Sequence, residues 1–161
     1  MKNKIKIALI DTMFARGDMG KIAVETLKKT AKENGWGIEI LRKTVPGIKD
    51  IPVALLQLLE QGCSAGLVLG MPGSAPIDKQ CAHEASLGIQ HVQLMSRKTV
   101  LEVFVHEDEA KSDEELASIM RNRASKHALN LLWLLFAPEE LEKRAGSGER
   151  QGKVNAKQVK L

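Results

Sequence analysis

Lys4-Ile-Lys-Ile-Ala-Leu-Ile10 decides how the rest of the chain is read. Polar and apolar residues alternate at its start and then give way to a continuous apolar run, the pattern of a strand entering a sheet covered on both faces. Asp18 follows, ahead of Met19, Ile22, Ala23, Leu27 and Ala31, whose three- and four-residue spacing draws one apolar helical face behind a good N-cap. Asn34-Gly35 closes that helix. The strand-then-helix unit recurs three more times. Gly37 to Val45 reads as a strand, Asp50 caps a Leu-rich helix from Ile51 to Gln61 with Pro52 in its first turn, and Gly62 stops it. Ala65 to Met71 reads as the most buried strand, a helix runs from about Asp78 to Met95, Thr99 to His106 forms the fourth strand, and a long helix covers Asp113 to Phe136. Strands that alternate with helices pair in parallel through right-handed crossovers, so the expected fold is a flavodoxin-like three-layer α/β/α sandwich on a four-stranded parallel sheet. Ligands in such sheets bind beyond the carboxyl ends of the strands, which directs attention to the four loops that follow them.

Composition bounds the function classes. The 161 residues suit one domain; 43% hydrophobic and 27% charged residues allow a core without staples. No apolar run reaches the roughly 20 residues needed to cross a bilayer, and the Lys/Asn-rich start lacks the apolar stretch of a signal peptide, so a cytoplasmic protein with no membrane partner is expected. Cys63 and Cys81 lack both disulfide-framework and zinc-site spacing and read as reduced thiols. The net charge of +4 is concentrated at the end of the chain. Residues 1–141, the expected catalytic domain, are electrically balanced; residues 142–161 form a basic tail carrying Lys143, Arg144, Arg150, Lys153, Lys157 and Lys160, expected to be flexible or ordered only in an oligomer. With no Tyr and 3% aromatics there is little to stack bases on, so nucleic acid is not expected as a partner.

The strand ends hold the candidate chemistry. Asp11-Thr-Met-Phe-Ala-Arg16 follows the first strand, and Phe14 there is either a stacking face for a planar ring or a plug at the helix entrance. Val45-Pro-Gly-Ile-Lys-Asp50 bends tightly after the second, exposing backbone groups, with Asp50 either capping its helix or accepting from hydroxyls. Gly70 and Gly73 after the third strand let a backbone approach a ligand, but the run is neither a phosphate-cradling loop nor GxGxxG. His106-Glu-Asp-Glu109 after the fourth offers a proton exchanger and carboxylates able to hold Mg²⁺ through water, or an acidic cap for the last helix. Cys81-Ala-His-Glu84 does not have metal-site spacing, and no GxSxG, CxxC or Ser-His-Asp order appears.

Taken in series, DTMFAR (11–16), RKTVPGIKDIP (42–52), LGMPG (69–73), CAHEASLG (81–88) and EVFVHEDEAKSDEEL (102–116) resemble the archaeal-type riboflavin synthases of the lumazine synthase fold group. RASKHA (123–128) and RAGSGERQG (144–152) extend the likeness to about nine tenths of the chain. The resemblance implies a transferase of riboflavin biosynthesis that dismutates two 6,7-dimethyl-8-ribityllumazine molecules by moving a four-carbon unit, giving riboflavin and 5-amino-6-ribitylaminouracil. It further implies homopentamers with sites between subunits, an association with Mg²⁺ whose ligands are unknown, and no redox cofactor. By the same likeness Phe14 stacks on a pteridine ring beside Asp11 and Thr12, Val45, Pro46, Gly47 and Ile48 hold ring edges, Asp50 takes ribityl hydroxyls, and Gly70, Met71 and Gly73 line the site. Arg123 and His127 lie one turn apart on the last helix, where the related enzymes place cations that reach a neighbour's site; here they either anchor a ring oxygen or ribityl hydroxyl or are solvated.

Lumazine synthases carry a Gly-Ala-Thr-Thr-His-like run after strand three, for a phosphate and a catalytic imidazole. Here Gly70 to Lys79 reads GMPGSAPIDK, and Ile77 at the matching place does neither job. For acid/base assistance His106 is the first candidate, with His83 and Glu107 behind it. Lumazine synthase and a non-catalytic flavin- or lumazine-binding protein are the alternatives.

Overall fold

The computed structural model describes residues 4–161; the Lys/Asn-rich start, Met1 to Asn3, lies outside the described residues. Four parallel strands form one sheet: β1 (Ile5–Thr12), β2 (Ile38–Val45), β3 (Ala65–Gly70) and β4 (Val100–Phe104), in the order β2-β1-β3-β4. The helices that return the chain are α1 (Met19–Asn34), α2 (Ile51–Glu60), α3 (Pro76–Ser96) and α4 (Asp113–Phe136), followed by a short α5 (Glu139–Glu142). This is the three-layer sandwich expected from the alternation.

The layers follow from the two-residue period of β1. Ile7 and Leu9 point to one face, where they meet Leu27 of α1 and Leu116, Met120 and Leu131 of α4. Ala8 and Ile10 point to the other, against Ala54, Leu55 and Leu59 of α2 and Ile89 and Val92 of α3. All six residues of β3 are buried, because it lies inside the sheet and is covered twice.

Local chemistry sets the boundaries. Asp18 caps α1 by accepting the Lys21 N–H at 2.8 Å, and Gly35 ends it at φ +69°. Ser112 caps α4 through the Glu115 N–H at 3.1 Å. Asp50 does not cap α2 as its position suggests: a turn of 3₁₀ helix (Ile48–Asp50) leads into that helix, and the carboxylate turns back to accept the Gly47 N–H at 3.0 Å. α3 starts at Pro76, two residues before the expected Asp78, since Pro is well placed in a first helical turn.

Side chains cover both ends of the free edge of β4. Val105 N–H bonds to Gly70 and the Gly66 N–H to Thr99, so odd-numbered residues of β4 face β3 and even-numbered ones face outward. Of the outward groups, Val100 N–H donates to Gln93 Oε1, Phe104 C=O accepts from Arg123, and His106 N–H donates to Glu109. After α5 the chain turns back along α4. The Arg144 guanidinium lies 4.2 Å from the centre of the Trp133 ring, and the Gly152 N–H donates to Asn122 Oδ1 at 2.7 Å.

Candidate active site

The strand order places the reversal point between β1 and β3: the chain leaves β1 toward β2 on one side and returns to β3 on the other. Asp11, Thr12 and Phe14 therefore sit at one wall of that crevice, Gly70 and Met71 at the other, and Val45 to Asp50 beside them at the end of β2.

Asp11 is committed within the chain. It is 6% exposed, accepts from Arg42 Nε at 2.9 Å and also from Arg42 Nη2, and takes the Thr44 hydroxyl at 2.6 Å. Arg42 also reaches the Asp18 carboxylate at 2.6 Å, tying the end of β1, the middle of β2 and the start of α1 together. Beside this node is a cavity of about 280 Å³ lined by Asp11, Thr12, Arg16, Asp18 and Arg42. Gly20, in the first turn of α1, leaves room for the node: a Cβ there would overlap Asp11 Oδ2 and stand 2.8 Å from the Arg42 guanidinium carbon.

Phe14 stands apart from that packing. Its ring is 79% exposed and its neighbour Met13 is 71% exposed, so neither plugs the helix entrance. Val45 is buried, Pro46 is exposed, and Gly47 extends its backbone past the turned-in Asp50 carboxylate. The glycines after β3 serve packing. A Cβ on Gly70 would meet Phe104 Cε1 at 2.9 Å and Ile48 Cγ2 at 3.0 Å, and one on Gly73 would strike the Asp78 carboxylate, which accepts the Ala75 N–H. Met71 is buried in the core between the sheet and the α1/α4 layer.

The second group lies on the other side of the sheet, along β4 and α4. Glu102, Phe104 and His106 follow at the strand's two-residue period, and with Glu109, Arg123 and His127 they line an open cleft of about 700 Å³. Arg123, only 8% exposed, holds Glu109 in a two-pronged pair at 2.8 and 2.7 Å and donates to the Phe104 carbonyl at 2.9 Å. That guanidinium, opposed by burial and helped by the His106 N–H, pulls the Glu109 pKa down to about 2. Two imidazole nitrogens in this cleft, Nδ1 of His106 and of His127, are buried and have no partner among the described residues. Burial, reinforced by the charge of Arg123, lowers the His127 pKa and keeps its ring neutral near pH 7. Burial raises that of Glu102, against the Ser86 hydroxyl that donates to it at 2.5 Å.

The other two acid/base candidates are placed elsewhere. His83 is exposed on α3, and Glu107 is held by Arg16 at 3.0 Å. The acidic run 107–109 is splayed over three cations, since Asp108 pairs with Lys79 and Glu109 with Arg123. Among the described residues no three His, Cys, Asp or Glu side chains converge as a metal site. Glu102 and Phe104 were not singled out from sequence. The available signal was a lone carboxylate in the otherwise apolar run Val100 to Val105.

In a single chain the exposed Phe14 and the β4 cleft do not share a pocket. Phe14 follows β1, which lies two inter-strand steps of about 4.8 Å from β4.

Comparison with known proteins bears on this arrangement. A riboflavin synthase of Methanothermobacter thermautotrophicus is 52% identical over 153 residues, covering 94% of this chain and 97% of that protein. Those of Aeropyrum pernix and Archaeoglobus fulgidus are 44% and 42% identical over 96% and 92% of this chain, and 97% and 94% of their own lengths. The profile of the family described as 6,7-dimethyl-8-ribityllumazine synthase matches residues 4–138, from β1 to the end of α4, and with a match of that extent over a four-stranded parallel sandwich of the expected order, the chain belongs to the 6,7-dimethyl-8-ribityllumazine synthase family.

Proposed function

We infer that this chain is a riboflavin synthase, the enzyme that converts two molecules of 6,7-dimethyl-8-ribityllumazine into riboflavin and 5-amino-6-ribitylaminouracil. The observation that carries the reading is identity of up to 52% to proteins of that name over nearly the whole of both chains. The loop after β3 supports it against the condensation that gives the family profile its name. Where lumazine synthases place a phosphate-binding, histidine-bearing run, this chain has GMPGSAPIDK, and Ile77 is 62% exposed on the first turn of α3.

The reaction moves a four-carbon unit between two like heterocycles and needs no external oxidant, because one ring gains what the other loses. The site has two tasks: to stack two rings in register and to move protons. The exposed face of Phe14 suits the first, with the Pro46-Gly47-Ile48 backbone at the ring edge. Asp50 keeps one carboxylate oxygen free of the Gly47 N–H for a ribityl hydroxyl. The second task falls to the β4 cleft. The 7-methyl carbon of the substrate is acidic because its anion delocalises into the ring, and an imidazole with an unpartnered nitrogen, that of His127 or of His106, can take that proton. Asp11 acts by holding the β1 end in place through Arg42 and Thr44.

Because Phe14 and the β4 cleft lie apart, the reading includes a site completed by a second copy, one chain offering the ring platform and its neighbour the cleft. Exposed Ile77, Leu87, Leu94 and Met95 along α3 supply an apolar face for such self-association, and a homopentamer is the arrangement proposed. No step is routed through a metal.

The test is incubation of the purified chain with 6,7-dimethyl-8-ribityllumazine, with riboflavin and the pyrimidinedione quantified by chromatography. Equimolar products, from two substrates consumed, are expected. Parallel reactions with Mg²⁺ and with a chelator measure any contribution from a metal site formed between copies. Consumption of a phosphorylated four-carbon ketone, with lumazine as product, would replace this reading with lumazine synthase; binding without turnover would make the chain a binding protein.

A further inference from the structure

The segment after α5 is built as a loop. The Ala156 N–H returns to the Gly148 carbonyl at 2.8 Å and the Arg150 N–H donates to Asn155 Oδ1 at 3.0 Å, closing residues 148–156 on themselves. Gly148 and Gly152 take φ of +72° and +68°, the left-handed region that favours glycine, and neither has space for a side chain. At Gly148 a Cβ would strike the Ala156 carbonyl; at Gly152 it would lie 2.6 to 3.0 Å from three atoms of the Arg123 guanidinium group. The loop is thus seated on the buried arginine that also holds Glu109 and Phe104, with Asn122 fixing Gly152 from the side.

So seated, Glu149, Arg150, Gln151 and Lys153 become one wall of the β4 cleft, facing Glu102, His106 and His127. The charges do not cancel. Glu109 is taken by Arg123 and Glu149 by Arg144 at 3.6 Å, whereas Arg150 and Lys153 form no ion pair among the described residues. The family profile ends at Pro138, but 94% coverage by the Methanothermobacter thermautotrophicus riboflavin synthase leaves about ten residues of this chain unmatched, fewer than the 23 that follow Pro138. That alignment therefore runs into the loop.

We propose that the loop 148–153 belongs to the substrate site, and that Arg150 and Lys153 bind the carbonyl oxygens of the lumazine ring and stabilise its anion. The inference rests on the riboflavin synthase reading. When the 7-methyl C–H bond breaks, the proton passes to a cleft imidazole and the electron pair spreads into the ring, placing negative charge on oxygens that these two cations meet. Nothing else enters the step, and protonation of the anion reverses it.

The experiment follows exchange of the 7-methyl protons of 6,7-dimethyl-8-ribityllumazine into D₂O by proton NMR, together with KM and kcat for riboflavin formation. It uses the full chain, the double variant Arg150→Gln/Lys153→Gln, and the charge-keeping swap Arg150→Lys/Lys153→Arg. Loss of two charge-assisted hydrogen bonds is expected to slow exchange about a hundredfold or more and to raise KM, with the swap restoring most of both. Exchange and KM within about twofold of the parent in the double variant would overturn the proposal, as would a loss that the swap does not restore, since that would mark a structural role. If the parent chain neither exchanges nor makes riboflavin, the functional reading itself has failed; if the parent does both and the double variant is unaffected, only the loop's role has.

Discussion

Gly20→Ala sets two effects of known sign against each other. Replacing a helical glycine with alanine ordinarily stabilises a protein by about 1 kcal/mol, because the unfolded chain has less freedom to lose. Gly20 lies in the first turn of α1, yet its missing Cβ is the space occupied by Asp11 Oδ2 and the Arg42 guanidinium. A methyl group there forces the carboxylate off its partners, and Asp11 is too deeply buried to be rescued by water. Hydrogen bonds to a charged group are worth roughly 1.5–3 kcal/mol each, so losing two of the Arg42 and Thr44 contacts costs about 3–6 kcal/mol. The net expectation is destabilisation by about 2–5 kcal/mol, a drop in Tm of roughly 5–15 °C for a chain of this length. Urea denaturation of parent and variant at one fixed protein concentration measures it, which keeps any self-association term constant. A variant as stable as the parent, or more stable, would refute the account of Asp11 as an internal tie and return it to the pool of groups available to a ligand.

Phe14→Ala is expected to leave Tm within about 2 °C, because the ring is exposed, while raising KM for the lumazine severalfold, the worth of one aromatic stack; an unchanged KM would remove Phe14 from the site. Glu109 has a folded-state pKa of about 2 against an ordinary 4.5, so its pairing with Arg123 contributes stability above about pH 4.5 that is lost as pH falls toward 2. With Glu109 one-fifth exposed, that contribution is about 2–3 kcal/mol, and Glu109→Gln should flatten the fall in stability between pH 5 and pH 3 in urea titrations; a parent-like slope in the variant would contradict it. His127, its pKa lowered by burial and by Arg123, should leave the acid limb of kcat below the ordinary imidazole value of about 6.5, and His127→Gln should abolish that limb if this ring is the base; a limb retained in the variant assigns the proton to His106 instead.

The sheet was legible from local pattern. β1 alternates and then runs apolar, β3 is continuous, and each helix carries its stripe, so strand and helix identities could be read from windows of about ten residues. What lay beyond reach were the long-range pairings. Nothing near Asp11 announces that Arg42, 31 positions away, will occupy it, and nothing near Glu109 announces Arg123. The same limit applies to the glycines of the β3 loop, which the sequence offers as room for a ligand. Gly70 instead accommodates Phe104 and Ile48, a pairing that depends on β4 lying beside β3. The loop 148–156 was equally hidden, because its contacts are with helix α4 rather than with its own neighbours in sequence. Resemblance over many short segments gave expected roles to strand-end residues that pattern alone left ambiguous.

The side chains that cover the ends of the β4 edge carry a consequence for assembly. Gln93, Arg123 and Glu109 already occupy outward-facing amide and carbonyl groups along that strand. A strand from another molecule could extend the sheet there only by evicting a buried arginine from its carboxylate. Sheet extension between copies is therefore disfavoured at β4, whereas β2, the other edge strand, pairs only with β1. A substitution at Arg123 would remove that protection of the β4 edge along with the cleft it shapes.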